Sequence, residues 1–213
     1  MKSEETPFRS LSRAERRERI LWAAKEVMME KGVDEASMDD VAACAGTTKP
    51  TVYAHFKSKD ELFAAVADLI KGLFLGKLGN PEVYSSDPVE AVALFCGRFV
   101  ELTCWQSAIG YQRVALAAAV RSPMIAATVY QTIFGGACAS LADYLRARKL
   151  TRTPDRDAEF VLAATSWVPM MRHLYGLDEP SPEIPGPQGI PGRVDMKKIR
   201  EAVKLVATTW KLS

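Results

Sequence analysis

Apolar side chains along this chain recur three and four positions apart and almost never in alternation. That spacing gathers them on one side of successive helices and leaves no room for strands. Residues 12–31 set the pattern, with Ile20, Ala24, Val27 and Met28 separated by charges. Gly32 stops this helix. Ser37 caps a short second one, whose first turn holds Asp39 and Asp40, where the helix dipole favours acids, and Gly46 ends it. A third short helix begins near Thr48. A fourth begins at Ser58, with Glu61 three positions on completing a capping box, and runs into the low seventies until Gly76, Gly79, Asn80 and Pro81 break it. Longer helices are predicted at about 87–105, 110–121, 123–148, 156–175 and 194–212. Pro88, Pro123 and Pro154 sit near their starts, and Pro169, inside a helical pattern, predicts a kink. Between the last two helices, "GLDEPSPEIPGPQGIPGRV" is too rich in proline and glycine to be helical and reads as a loop. The expected fold class is all-α.

Several function classes fall away on composition. No apolar stretch approaches the roughly 18–20 residues that span a bilayer. The N-terminus has no apolar core behind its charges, so no secretory signal is expected and the chain reads as cytoplasmic, without a membrane partner. Cys44, Cys96, Cys104 and Cys138 are scattered singly and the two histidines lie far apart, so neither a metal site, nor another cofactor, nor a disulfide framework is expected. No H-x-x-x-H pair, G-x-S-x-G or phosphate loop is present, and carboxylates in the C-terminal half are sparse, which argues against an enzyme.

The formal net charge of +2 decides nothing about nucleic acid, but its distribution does. Residues 1–60 hold 11 Lys/Arg and 11 Asp/Glu, yet Thr47–Lys59 holds three lysines and no acid. The Arg9–Arg19 stretch adds five arginines against two glutamates, a possible basic arm. A short helix, a turn at Gly46 and a second short helix over Ser37–Phe56 make a helix-turn-helix, whose second helix can enter a major groove. Thr47 or Thr48 can cap that helix, and Pro50 falls in its first turn, where a missing N–H costs little. Its N-terminal end favours phosphate, with Thr47, Thr48, Lys49 and Thr51 as short donors. Tyr53 and His55 reach phosphates further along, and Lys59 holds the flank. Val52 and Phe56 read as core.

At this point the chain resembles a known family. "RRERILWAAKEVMMEKGVDEASMDDVAACAGTTKPTVYAHFKSKDELFAAV" is similar to the N-terminal domain of TetR-family transcriptional regulators, over about 55–60 residues, with several motifs in order and spacing. The resemblance implies a DNA-binding domain over residues 13–73 and an effector-binding and dimerisation domain over 74–213. It implies a homodimeric regulator, a repressor or activator, on a double-stranded palindromic operator, with a small-molecule effector bound by the C-terminal helices. It carries DNA contact onto Thr47, Thr48, Lys49, Thr51, Tyr53, His55 and Lys59, with Ser37 and Met38 near the backbone. Pro50 departs from the smaller residue usual there, and its lost N–H puts contact at that position in doubt.

For the C-terminal part, spacing offers two seams. Phe160, Ala164, Trp167, Met171 and Leu174 recur at 4, 3, 4, 3, and Met196, Ile199, Val203, Val206 and Trp210 at 3, 4, 3, 4. Two such helices from each subunit would pack as a four-helix dimer interface; alternatively both seams face their own core. Candidate effector contacts are Phe95, Phe99, Trp105, Tyr111, Phe134, Trp167, Met170 and His173, with His173 as polar handle, which suggests an apolar or aromatic effector that relieves repression. The alternative is a DNA-binding regulator without a small-molecule effector, controlled by a protein partner.

Overall fold

Serine caps start three of the first four helices. The structure, a computed structural model of the chain, describes residues 7–33, 35–121, 123–182, 185–186, 192 and 194–210. Ser12 and Glu15 form a capping box at the start of α1 (Arg13–Lys31), and Ser37 and Asp40 form another at α2 (Met38–Ala45). The αL conformation of Gly46 (φ 68°) then turns the chain into α3 (Lys49–His55), the helix-turn-helix expected of this segment. At α4 (Lys59–Leu78) the serine hydroxyl accepts from the Glu61 N–H at 3.1 Å. The Glu61 carboxylate accepts from the Lys57 N–H at 2.9 Å, one residue outside the expected box.

Among the described residues the α-helices that follow are α5 (Pro88–Thr103), α6 (Gln106–Ala118), α7 (Pro123–Tyr130), α8 (Gly136–Ala147), α9 (Pro154–Leu174) and α10 (Met196–Ala207). No helix among the described residues is long and apolar enough to cross a membrane. Some elements differ from expectation. α4 passes through Gly72 and Gly76 to Leu78, because Phe74 and Leu78 are buried in a second core and that packing outweighs the weak propensity of the glycines. Residues 123–148 are not one regular helix: a π-helical turn, Gln131–Gly135, separates α7 from α8. α9 runs through Pro169 to Leu174, close to the expected end at 175. The loop after α9 lies partly outside the described residues, and α10 ends at Ala207, short of the expected 212.

Two cores result. The first gathers Ile20, Ala24, Val41, Val52, Phe56 and Leu62 from α1–α4. The second gathers Phe74 and Leu78 from α4 with α5, α8, α9 and α10, and α5 is buried on nearly every side. The seam on α10 faces inward. Ile199, Val203, Val206 and Trp210 are buried in the protomer's own core and Met196 packs against it, so these side chains are not available to a partner subunit. α10 is a one-faced helix laid against α5 and α9, and its apolar stripe is used up there.

At α2, hydrogen bonds from Lys31 and then from Ser37 hold the Asp40 carboxyl down from an ordinary 3.8 to about 2. A carboxyl that titrates lower when folded stabilises fully above its unfolded value and loses that contribution as pH falls through its folded one. Stability of the N-terminal domain should therefore decline between pH 3.8 and about 2. Asp40→Asn should flatten that decline in denaturant titrations run across the pH series.

Candidate nucleic-acid interface and ligand cavity

α3 is divided lengthwise. Val52 is fully buried, and Phe56, just past its end, is too, with the Arg17 guanidinium 4.7 Å over its ring. On the opposite side Thr48, Lys49, Pro50 and Tyr53 are exposed, Tyr53 at 45%, while Thr47 and Thr51 are half-buried. Thr48 is the N-cap by position, yet its hydroxyl makes no capping bond; it lies 2.9 Å from the Thr51 hydroxyl. The first-turn N–H groups of α3 are thus left without a side-chain cap at an exposed end, which is what an incoming phosphate needs.

Two expected contacts are corrected. Met38 is 5% exposed and belongs to the first core, because the first residue of α2 turns its side chain toward α1. The hydroxyl of Ser37 is engaged with Asp40, accepting from its N–H and donating to Oδ2 at 2.7 Å, so its first role is structural. Lys49 Nζ is 2.7 Å from Asp39 Oδ2, so the lysine of the acid-free stretch meets an acid from α2 in space. His55 is half-buried, and its pKa is lowered by burial and then by Arg13, Arg16 and Arg17. The arginine side of α1 therefore adjoins the end of α3. Lys59 opens α4 beside it, and Lys57 is exposed.

In the C-terminal part a cavity of about 610 Å³ opens between α6, α7, the π-helical turn, α8 and α9. Of the eight residues expected to contact an effector, Phe134, Trp167 and Met170 line it. Phe99 stands behind the wall, its ring edge-on to Phe134 at 5.3 Å, and Phe95 is sealed in the core. Trp105 is placed elsewhere: its indole N–H donates to the Pro182 carbonyl at 3.5 Å, pinning the segment after α9. Tyr111 faces α1 and α4, and burial pushes its hydroxyl up to about 12. His173 borders a second, more polar cavity of about 640 Å³ between α5, α9 and α10, with Nδ1 2.8 Å from the Pro169 carbonyl. Sequence reasoning missed Gln112, Tyr130, Cys138, Glu159 and Tyr175 as lining residues. The signal for part of them was the charge-free run from Ser122 to Ala142, which supplies Tyr130 and Cys138. On α9, Phe160, Ala164 and Trp167 are exposed and Met171 and Leu174 half-buried, a continuous apolar strip beside the cavity.

With this geometry in place, comparison with known proteins is specific for the first domain. Residues 20–66 match the family described as bacterial regulatory proteins, tetR family. Over 56 residues the chain is 50% identical to the HTH-type transcriptional activator FasR of Mycolicibacterium smegmatis, 26% of either chain. Over 53 residues it is 40% identical to the HTH-type transcriptional repressor BepR of Brucella suis, 25% of either chain. The matched stretch thus spans about a quarter of the length of these curated relatives. The solved structure of the flavonoid-responsive regulator FrrA superposes with a TM-score of 0.76, over 93% of this chain and 98% of that one, at 20% identity. At that identity the likeness is one of fold.

The Lys49–Asp39 pair makes a direct prediction. Lys49→Ala should weaken binding to duplex DNA and reduce the slope of log affinity against log salt by about 1. Asp39→Asn should strengthen binding by releasing the lysine. Fluorescence anisotropy over a salt series reads both effects. The thermal midpoint should stay within about 0.5 kcal/mol equivalent for these exposed positions, and a large fall would make the pair structural.

Proposed function

We propose that this chain, whose N-terminal domain belongs to the TetR family of bacterial regulatory proteins, is a DNA-binding transcriptional regulator that acts as a homodimer on a palindromic operator. In this proposal it is a repressor, released by a small apolar or aromatic effector. The observation that carries the DNA assignment is the lengthwise division of α3: Val52 and Phe56 hold the helix to the domain, while Thr48, Lys49, Pro50 and Tyr53 stand exposed at its phosphate-seeking end. Phosphate contacts from Lys49, His55, Lys59 and the α1 arginines would set its register, and base edges would be read by the threonines and Tyr53.

Dimerisation through α9 is supported by its exposed strip, where Phe160 is 61% and Trp167 60% exposed. Exposed apolar side chains of that size along one helix face suit a two-fold pairing with a copy of the same helix. The exposed Leu205 would be the contribution of α10, in place of its buried seam. A cavity well above about 300 Å³ favours a small-molecule effector over control by a protein partner alone.

Coupling would run through two helices. α4 contributes Leu62 and Val66 to the first core and Phe74 and Leu78 to the second. α6 lines the cavity with Gln112, Ala115 and Leu116, while its Tyr111 and Val114 face α1 and α4. An effector that moves α6 therefore pushes on the DNA-binding domain, and a coupling of about 1–3 kcal/mol between the sites would suffice for release.

Two experiments test these assignments. Selection of bound fragments from random DNA should return a palindrome with half-sites about 34–36 Å apart or somewhat more; recovery of no common sequence would overturn the operator assignment. Phe160→Glu should split the dimer in sedimentation while preserving a cooperative unfolding transition. Val203→Glu should instead lower stability severely, by about 3 kcal/mol or more, because it places an unpaired charge in the core.

A further inference from the structure

The cavity beside α9 is apolar on nearly every side, yet it holds one full charge. Glu159 lines it, and among the described residues no lysine, arginine or histidine does. The neighbouring cations are engaged elsewhere. Arg156 pairs with Asp157 at 3.0 Å, and Arg146 with Asp143 and Asp155. Arg113, beside Gln112 on α6, donates to the His173 and Leu174 carbonyls at 2.7 and 3.2 Å. The negative field of Glu159 extends to the thiol across the cavity wall, where burial first and then this carboxylate raise the pKa of Cys138.

Two of the polar side chains beside it are already engaged. The Gln112 side-chain amide donates to the Thr103 and Ala108 carbonyls at 3.1 and 3.2 Å, and the Ser166 hydroxyl donates to the Leu162 carbonyl at 2.7 Å. The remaining surface is aliphatic and aromatic. Tyr130 stacks on Phe134, centroids 5.6 Å apart and planes at 20°, and Trp167 borders the opening. Aromatic faces present the negative end of their quadrupole and attract cations, most strongly where water is scarce.

We propose that the effector is a lipophilic cation, an amine or onium ion carrying aromatic rings, with its charge toward Glu159 and its rings among Tyr130, Phe134 and Trp167. This rests on the cavity being the effector site, and it adds a sign of charge to the apolar or aromatic class already argued.

Tetraphenylphosphonium and tetraphenylborate are nearly identical in shape and opposite in charge, so together they isolate that sign. Calorimetry on the full chain should show the phosphonium binding at least about fivefold more tightly than the borate, a modest factor because Glu159 reaches solvent. Glu159→Gln should bring the ratio close to one, and Glu159→Lys should invert it. Glu179→Gln, on the border of the other cavity, should leave it unchanged. Equal affinities, tighter borate binding or no phosphonium binding would overturn the proposal. So would a preference that survives Glu159→Gln or disappears with Glu179→Gln. Affinity of the unliganded protein for its selected operator is measured on the same preparations. Its absence would remove the regulator assignment, whereas operator binding without a cation preference would remove the cation proposal alone.

Discussion

The structure depends on one helix being buried twice. α4 inserts Leu62, Phe63 and Val66 into the core of the N-terminal domain and, two turns later, Phe74 and Leu78 into the core of the larger domain. Neither half could be released without exposing the other, since each large side chain returned to water costs about 1.5–3 kcal/mol. The edge-to-face contact of Phe74 with Phe99, centroids 6.1 Å apart, ties α4 directly to the central helix α5. Leu75 lies against Gly136, at the start of α8, where a β-carbon would come within 3.1 Å of its side chain. The small residue there is what lets α4 and α8 approach so closely.

From that shared helix the two functional surfaces take their positions. α3 is held by its buried side, so its donors stand out at a fixed angle. Asp39 holds Lys49, and the Thr48 and Thr51 hydroxyls hold each other. In the proposed complex, DNA would replace these internal partners with phosphate and base edges, at little cost because the pair is solvent-exposed. The cavity is shaped by the π-helical turn, which breaks the regular register between α7 and α8 and brings Ile133 and Phe134 to its wall. Such turns recur where a helix has been adapted to a site.

Much of this was legible in the residues. Ser37, Gly46 and Ser58 mark helix ends by chemistry that needs no tertiary context, and the position of α3 was legible from its threonines and proline. Met38 and the α10 seam were not legible in the same way. An apolar residue at the start of a helix, or an apolar stripe along one, states that something will cover it but not which molecule does the covering. Val203 and Trp167 look alike in spacing; one is fully buried and the other 60% exposed. In sequence Glu159 is one of several acids near a helix end, and only the fold makes it, among the described residues, the one charge lining this apolar cavity.

By itself the sequence determined the all-helical class, the helix-turn-helix and its exposed donors, because caps, glycine turns and 3.6-residue periodicity are local properties of the chain. Tertiary structure decided which apolar stripe faces inward, where α4 stops, which aromatics meet around an opening, and that Lys49 finds Asp39. These are pairings between residues distant in sequence, and the competition for buried area that settles them is resolved only when all the helices pack together.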